Sequence, residues 1–154
     1  MQLTDEQIDR FARQIIVPGI GAVGQERLCS TRVRVLGDPT GCRYAQAYAQ
    51  AVGMQVTEAD DDYRVFAGTS ATPWPLPTGA RPAPITAWYR LTPDGWHAGL
   101  WRPTDPIPQG RDTDDALAES EALHAAAAAD AINSLVGLVL GWSDDGNDHE
   151  VSLA

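Results

Sequence analysis

Thr31-Arg32-Val33-Arg34-Val35-Leu36-Gly37-Asp38-Pro39-Thr40-Gly41-Cys42-Arg43 reads as a short strand running into an altered turn. Val33, Val35 and Leu36 form an apolar run that stops at Gly37. Nucleotide-binding βαβ units place a glycine-rich turn at this point, so that bare backbone amides approach the phosphates. Here Asp38 adds negative charge, while Pro39 removes an N–H donor and fixes φ. Thr40 and Cys42 bring side chains into space that glycine leaves open. The stretch therefore predicts the scaffold of a phosphate site without its chemistry.

Upstream of it, Thr4 is placed to cap a helix and Gln7 to complete a capping box. Ile8, Phe11, Ile15 and Ile16 follow at helical spacing until Pro18 and Gly19. Gly21 and Gly24 lead into a short turn over 25–28. Downstream, residues 42–52 predict an Ala-rich helix closed by Gly53, then strands over 54–57 and 63–67. Strand, helix and strand within this length make a βαβ unit, hence a parallel sheet. Residues 69–84 and 102–111 are Pro-rich loops on either side of a hairpin, 85–91 and 96–101, that turns at Thr92-Pro93-Asp94-Gly95. A long helix is expected from 112–116 to about Gly141.

Residues 1–142 read as a single domain with an N-terminal helical arm over 1–30, and residues 143–154 as an acidic flexible tail. The fold class is α/β: a shortened, doubly wound, Rossmann-like and mainly parallel sheet. A chain of 154 residues is long enough for one real core. Its net charge of −10 argues against nucleic acid and anionic membranes as partners. All 11 basic residues are arginine, in keeping with codon bias in a GC-rich gene, so lysine and Schiff-base chemistry is excluded. The longest apolar run, within 131–142, is broken by Asn133, Ser134 and Gly137 and reads as too short for a bilayer. The opening Met-Gln-Leu-Thr-Asp-Glu lacks the features of a signal peptide, so the cytoplasm is the expected compartment. Cys29 and Cys42 are isolated and no metal site is expected.

Residues 3–18, including Phe11-Ala12-Arg13-Gln14-Ile15, together with Gly24-Gln25-Glu26-Arg27-Leu28 and the strand, resemble the opening of the ThiF/MoeB/HesA family. These are bacterial relatives of ubiquitin-activating enzymes, which bind ATP and adenylate the carboxyl terminus of a ubiquitin-like protein. The resemblance covers 3–37 most closely and fades beyond 67. It implies a Rossmann-like fold, a dimer, and an ATP site whose parts can be sought in turn.

The family's Gly-x-Gly-Gly-x-Gly falls on Gly37 to Cys42 and keeps only its first glycine in place. Glu58 or Asp60 stands where the ribose acid belongs, and a solvated acidic turn is the plainer reading of both. The phosphate-binding lysine has no counterpart, with Arg43 and Arg64 the nearest cations in sequence. The magnesium-orienting aspartate, the acceptor cysteine and the zinc-binding cysteine pairs are missing. No cofactor is therefore expected, and ATP binding is lost or weak. Arg13 occupies the position from which family members reach across the dimer to the partner's ATP; pairing with a nearby carboxylate is its plainer role.

His97, His124 and His149 form no ligand spacing and read as surface or half-buried. Trp74, Trp96 and Trp101 are candidates for an interaction surface, with Trp74 as an exposed anchor; cross-strand packing is the alternative. The small residues of the last helix suit close packing inside the fold or between subunits.

The expectation is a catalytically inactive family member serving as a binding, scaffold or accessory subunit. It would form a homodimer, or a heterodimer with an active homologue, around a ubiquitin-like or carrier protein. The alternative is a protein repurposed to hold a non-ATP ligand in the former cleft, lined by Gly37, Asp38, Thr40, Cys42, Glu58 and Asp60.

Overall fold

A computed structural model describes residues 2–75, 83–110, 120–142 and 148–153. The elements are α1 (Asp5–Ile15), α2 (Gly21–Cys29), β1 (Arg32–Gly37), α3 (Pro39–Ala51), β2 (Gln55–Val56), β3 (Tyr63–Gly68), β4 (Thr86–Thr92), β5 (Gly95–Trp101), α4 (Glu121–Leu140) and β6 (His149–Ser152). The strands form one sheet in the order β2-β1-β3-β4-β5-β6. β2, β1, β3 and β4 pair in parallel, and β5 and β6 extend the sheet antiparallel. The α/β, Rossmann-like architecture expected from the sequence is present.

Alternation along the strands sorts side chains to two faces. Val33, Val65, Ala67, Ala87 and Tyr89 join Ala45 and Ala49 of α3 and Ala127, Ala128, Ala131 and Leu135 of α4 in the main core. The opposite face carries Phe66, Trp88 and Trp101, packed with Ala83 and Trp74. Among the described residues that face is covered by Pro-rich segments. A doubly wound sheet would have helices there.

α4 has the length and apolarity to cross a membrane, contrary to the sequence expectation that no run is long enough. It is the core helix: His124, Ala127, Ala128, Ala131, Ile132 and Leu135 are fully or almost fully buried. This placement is compatible with a soluble protein. Ser120 caps its start and left-handed Gly141 its end. The start predicted at 112–116 lies outside the described residues.

The predicted capping box at Thr4 and Gln7 forms. The turn expected over 25–28 is instead the full helix α2. The flexible tail is corrected over 149–152, where β6 pairs with β5 from Gly95 to Ala98. Two polar anchors hold it: His149 Nε2 meets Asp130 Oδ2 at 2.5 Å, and Ser152 Oγ donates to Asp94 at 2.8 Å. Asp130 also accepts from the Trp96 indole at 2.8 Å, so one carboxylate on α4 ties β5 and β6 together.

The arm is fastened by side chains that cap the C-terminal carbonyls of α3. Arg10 donates to Gln50 O at 3.1 Å, Gln14 to Ala51 O at 3.2 Å, and Gln25 to Val52 O at 3.0 Å. Carbonyls at a helix end need partners from elsewhere. The Arg-Gln and Gly-Gln segments of the opening thus have a structural use independent of any ligand.

Candidate functional site

The altered turn at Gly37–Cys42 is the start of α3, three residues earlier than the helix expected from 42. Asp38 is its N-cap, with its Oδ2 accepting from Thr40 N at 3.0 Å and Gly41 N at 3.2 Å. Pro39 sits at the first helical position, where a missing N–H removes no helix hydrogen bond. Asp38 N donates to Ala67 O at 2.8 Å. Every backbone N–H at this helix end is therefore either absent or bonded within the chain. In a phosphate site the same amides point at the ligand; here a carboxylate of the chain takes that position.

A buried polar chain continues inward from Asp38. His124 Nε2 lies 3.4 Å from Asp38 Oδ2, and its Nδ1 lies 2.7 Å from the Tyr89 hydroxyl. Burial pushes the Tyr89 phenol pKa up, with the charge of Asp38 adding to it, so the phenol keeps its proton. The Tyr89 hydroxyl and His124 Nδ1 share one hydrogen bond, whose donor is set by the imidazole tautomer, and Nε2 is the ring nitrogen that faces Asp38. Gly41 is required by this packing, since a Cβ there would stand 2.2 Å from the Tyr89 oxygen and 3.0 Å from His124 Nδ1.

Cys42 is half-buried beside the same carboxylate. Desolvation first, and Asp38 second, raise its thiol to about 11. At neutral pH it is a thiol and a poor nucleophile. Because the folded value lies above the reference value of 9.0, its contribution to stability is intact below about pH 9 and is lost as pH rises through about 11. Both free cysteines are expected to react slowly with Ellman's reagent at pH 8 in the native protein and rapidly in guanidinium. Fast native labelling of Cys42 would show that its surroundings are open.

The other sequence candidates do not converge on this end of the sheet. Glu58 is exposed. Asp60 lies on the crossover from β2 to β3 and pairs with Arg34 at 3.3 Å, away from the α3 terminus. Arg13 is exposed on the arm. Arg43 pairs with Glu121 at 3.1 Å on the surface, where the Tyr44 hydroxyl and Arg43 together hold the Glu121 carboxyl below its usual range.

Arg64 alternates onto the opposite face. It is fully buried, donates to Thr86 Oγ1 at 3.1 Å and Pro75 O at 3.3 Å, and among the described residues one guanidinium nitrogen has no partner. Burial lowers its pKa and that of Arg90, which donates to the carbonyls of Thr69, Thr72 and Pro108. Neither arginine can stand in for a phosphate-binding lysine on the α3 side.

The tryptophan surface is corrected. Trp96 and Trp101 are buried, and Trp74 is half-buried with its ring 4.8 Å from Phe66 and 5.4 Å from Trp101. Packing accounts for all three. Trp142, which the sequence did not single out, is 54% exposed and donates its indole N–H to Gly19 O at 3.1 Å. Among the described residues no cluster of metal-binding side chains occurs.

Sequence reasoning missed His124 as the partner of Asp38 and Tyr89 as the partner of His124. A signal for His124 was present: it precedes Ala128, Ala131 and Leu135 by 4, 7 and 11 residues, which sets it on the buried stripe of α4. For Tyr89 there was none, since its partner is 35 residues away.

Comparison with known proteins bears on the fold. No family model and no curated protein matches the chain. Among solved structures it is similar to the crystal structure of selenomethionine PaaA, with a TM-score of 0.59 and 11% identity over 99% of this chain and 84% of that one. The likeness shows the fold alone.

Proposed function

We propose that this chain is a non-adenylating member of the ThiF/MoeB/HesA group, acting in the cytoplasm as a binding or accessory subunit of a dimer. The observation that carries the reading is the Asp38 carboxylate bonded to Thr40 N and Gly41 N, where an activating enzyme would receive phosphate. A triphosphate would have to displace a carboxylate that also faces His124, and bring more negative charge to a chain of net charge −10. The half-buried, protonated thiol of Cys42 and the absence of lysine support the same reading. Contact with a ubiquitin-like or carrier protein belongs to this proposal through the resemblance of residues 3–37. The alternative of a metabolite in the former cleft gains nothing from Glu58, which is exposed, or from Asp60, whose carboxylate pairs with Arg34.

The test is a melting curve with and without magnesium and ATP. The parent is expected to show no shift, whereas a nucleotide at about 100 times its Kd would add about 2.7 kcal/mol and several degrees. Asp38→Ala is expected to lose about 0.5–2 kcal/mol with its cap and to be restabilised by sulfate, which the parent is not. A magnesium-dependent rise in the parent's Tm with ATP would overturn the reading.

A further inference from the structure

We infer that the cleft between Arg90 and His97, near the turn of the β4–β5 hairpin, binds the carboxylate of a small aliphatic acid. The two residues stand directly opposite each other on antiparallel strands. They lie on the Phe66–Trp88 face of the sheet, away from α3 and α4, so the site is separate from the turn at Gly37–Cys42. Aromatic contacts aim both side chains: the Arg90 guanidinium lies 4.9 Å over the Phe66 ring, and the His97 imidazole stands edge-on to Trp88 at 4.9 Å. Arg90 is 6% exposed and donates to Thr69 O at 2.7 Å, Thr72 O at 2.8 Å and Pro108 O at 3.0 Å. These bonds use Nε and Nη1 and end on neutral carbonyls; none uses Nη2. Among the described residues neither Arg90 nor His97 forms an ion pair, and the His97 ring makes no hydrogen bond. Glu150, the neighbour of His97 on β6, is exposed at the sheet edge. A buried guanidinium without a counter-charge is costly, and a protonated imidazole directly opposite adds to the cost. A bound anion relieves both.

The shape of the cleft selects the anion. Its walls are fixed before any ligand arrives, because Arg90 ties the segment after β3 to the segment after β5 through the three carbonyls. Gly110 presses so closely on the first of these segments that a Cβ would stand 1.9 Å from Ser70 O. Pro93, Gln109 and Gly110 join Arg90 and His97 around a volume of about 20 Å³. That is room for one or two water-sized groups. It suits the two oxygens of a planar carboxylate and leaves no place for the four of sulfate or phosphate. Arg90 Nη2 and an imidazole N–H would each donate to one oxygen, with the bond from arginine assisted by charge. Exposed Pro93 offers an apolar wall to the ligand's carbon chain. A net charge of −10 disfavours multiply charged ligands, so a single carboxylate on a short chain is the class selected.

The experiment is a titration of the full chain with sodium acetate and sodium butyrate at constant pH, followed through the imidazole NMR resonances of its three histidines. Sodium chloride and sodium sulfate at matched ionic strength are the controls. His97 is expected to shift saturably with either acid in the millimolar range and with neither control, while His124 and His149 stay in place. His97→Leu removes one donor and leaves an apolar contact for Trp88. It should weaken acetate binding by on the order of tenfold, read by saturation transfer to the acetate, with a melting curve as the control on folding. Arg90→Gln should abolish binding; if that variant does not fold, the parent titration and His97→Leu decide. No saturable shift of His97, an equal shift with chloride or sulfate, or a folded His97→Leu that binds acetate as the parent does would each overturn the inference. None of these outcomes depends on the melting test with ATP, so failure of this site and failure of the non-adenylating reading are separately visible.

Discussion

Gly37→Val is expected to lower Tm by at least about 8 °C, taking roughly 2–4 °C per kcal/mol for a domain of this size. Two penalties combine. Gly37 has φ +122°, a region that a β-branched residue adopts only under strain of order 1–3 kcal/mol. A Cβ there would also stand 2.1 Å from Ala67 O, which is backbone of β3 and cannot rotate away. Relief would break the β1–β3 pairing that continues through Asp38 N to Ala67 O. Gly141→Ala is the control: its φ is +72°, but the added carbon meets nothing within 4 Å, so the cost is about 1 kcal/mol. Thermal melts of the two variants beside the parent decide the matter. Equal small shifts would mean that Gly37 owes nothing to the close approach of β3.

His124→Ala should cost about 3 kcal/mol, from the cavity left in the core and from the Tyr89 hydroxyl deprived of its hydrogen-bond partner. Both residues are completely buried, so no solvent is at hand to replace the 2.7 Å bond. Tyr89→Phe removes the hydroxyl from that bond and is expected to cost about 1–2 kcal/mol. Combining Tyr89→Phe with His124→Leu removes both polar ends and keeps most of the volume. The double variant should be more stable than the sum of its parts by at least about 1 kcal/mol. Guanidinium denaturation of Tyr89→Phe, His124→Leu and the pair closes the cycle. Additivity within about 0.5 kcal/mol would show that the chain from Tyr89 to Asp38 is not coupled.

The parts of the fold legible in the sequence were those governed by local rules. Periodicity and breakers placed β1, α3, β3 and the hairpin to within a few residues, because apolar spacing and Gly or Pro punctuation act over short range. Asp38 and Pro39 were singled out as departures from a glycine-rich turn, yet their role in the fold stayed hidden. Read in sequence they are insertions into a glycine turn; in the folded chain they are an N-cap and a first helical residue, a pairing that local rules also favour. Trp74, Trp96 and Trp101 were misplaced because aromatic clusters look alike whether they face solvent or one another. The tail was read as frayed from its acidity, while His149 and Val151 alternate inward toward Asp130 and Trp96.

By itself the sequence determined the α/β class and the parallel βαβ start, since both depend on backbone preferences and residue types within one segment. Only the tertiary structure decided what the altered turn at Gly37–Cys42 faces. His124 and Asp38 are 86 positions apart in the chain, and their 3.4 Å contact exists because α3 and α4 pack side by side on one face of the sheet. The arm shows the same division. Its helix and cap were readable, but which side of α1 stays in solvent was set by the burial of Phe11 and by Arg10 and Gln14 finding the open carbonyls at the end of α3.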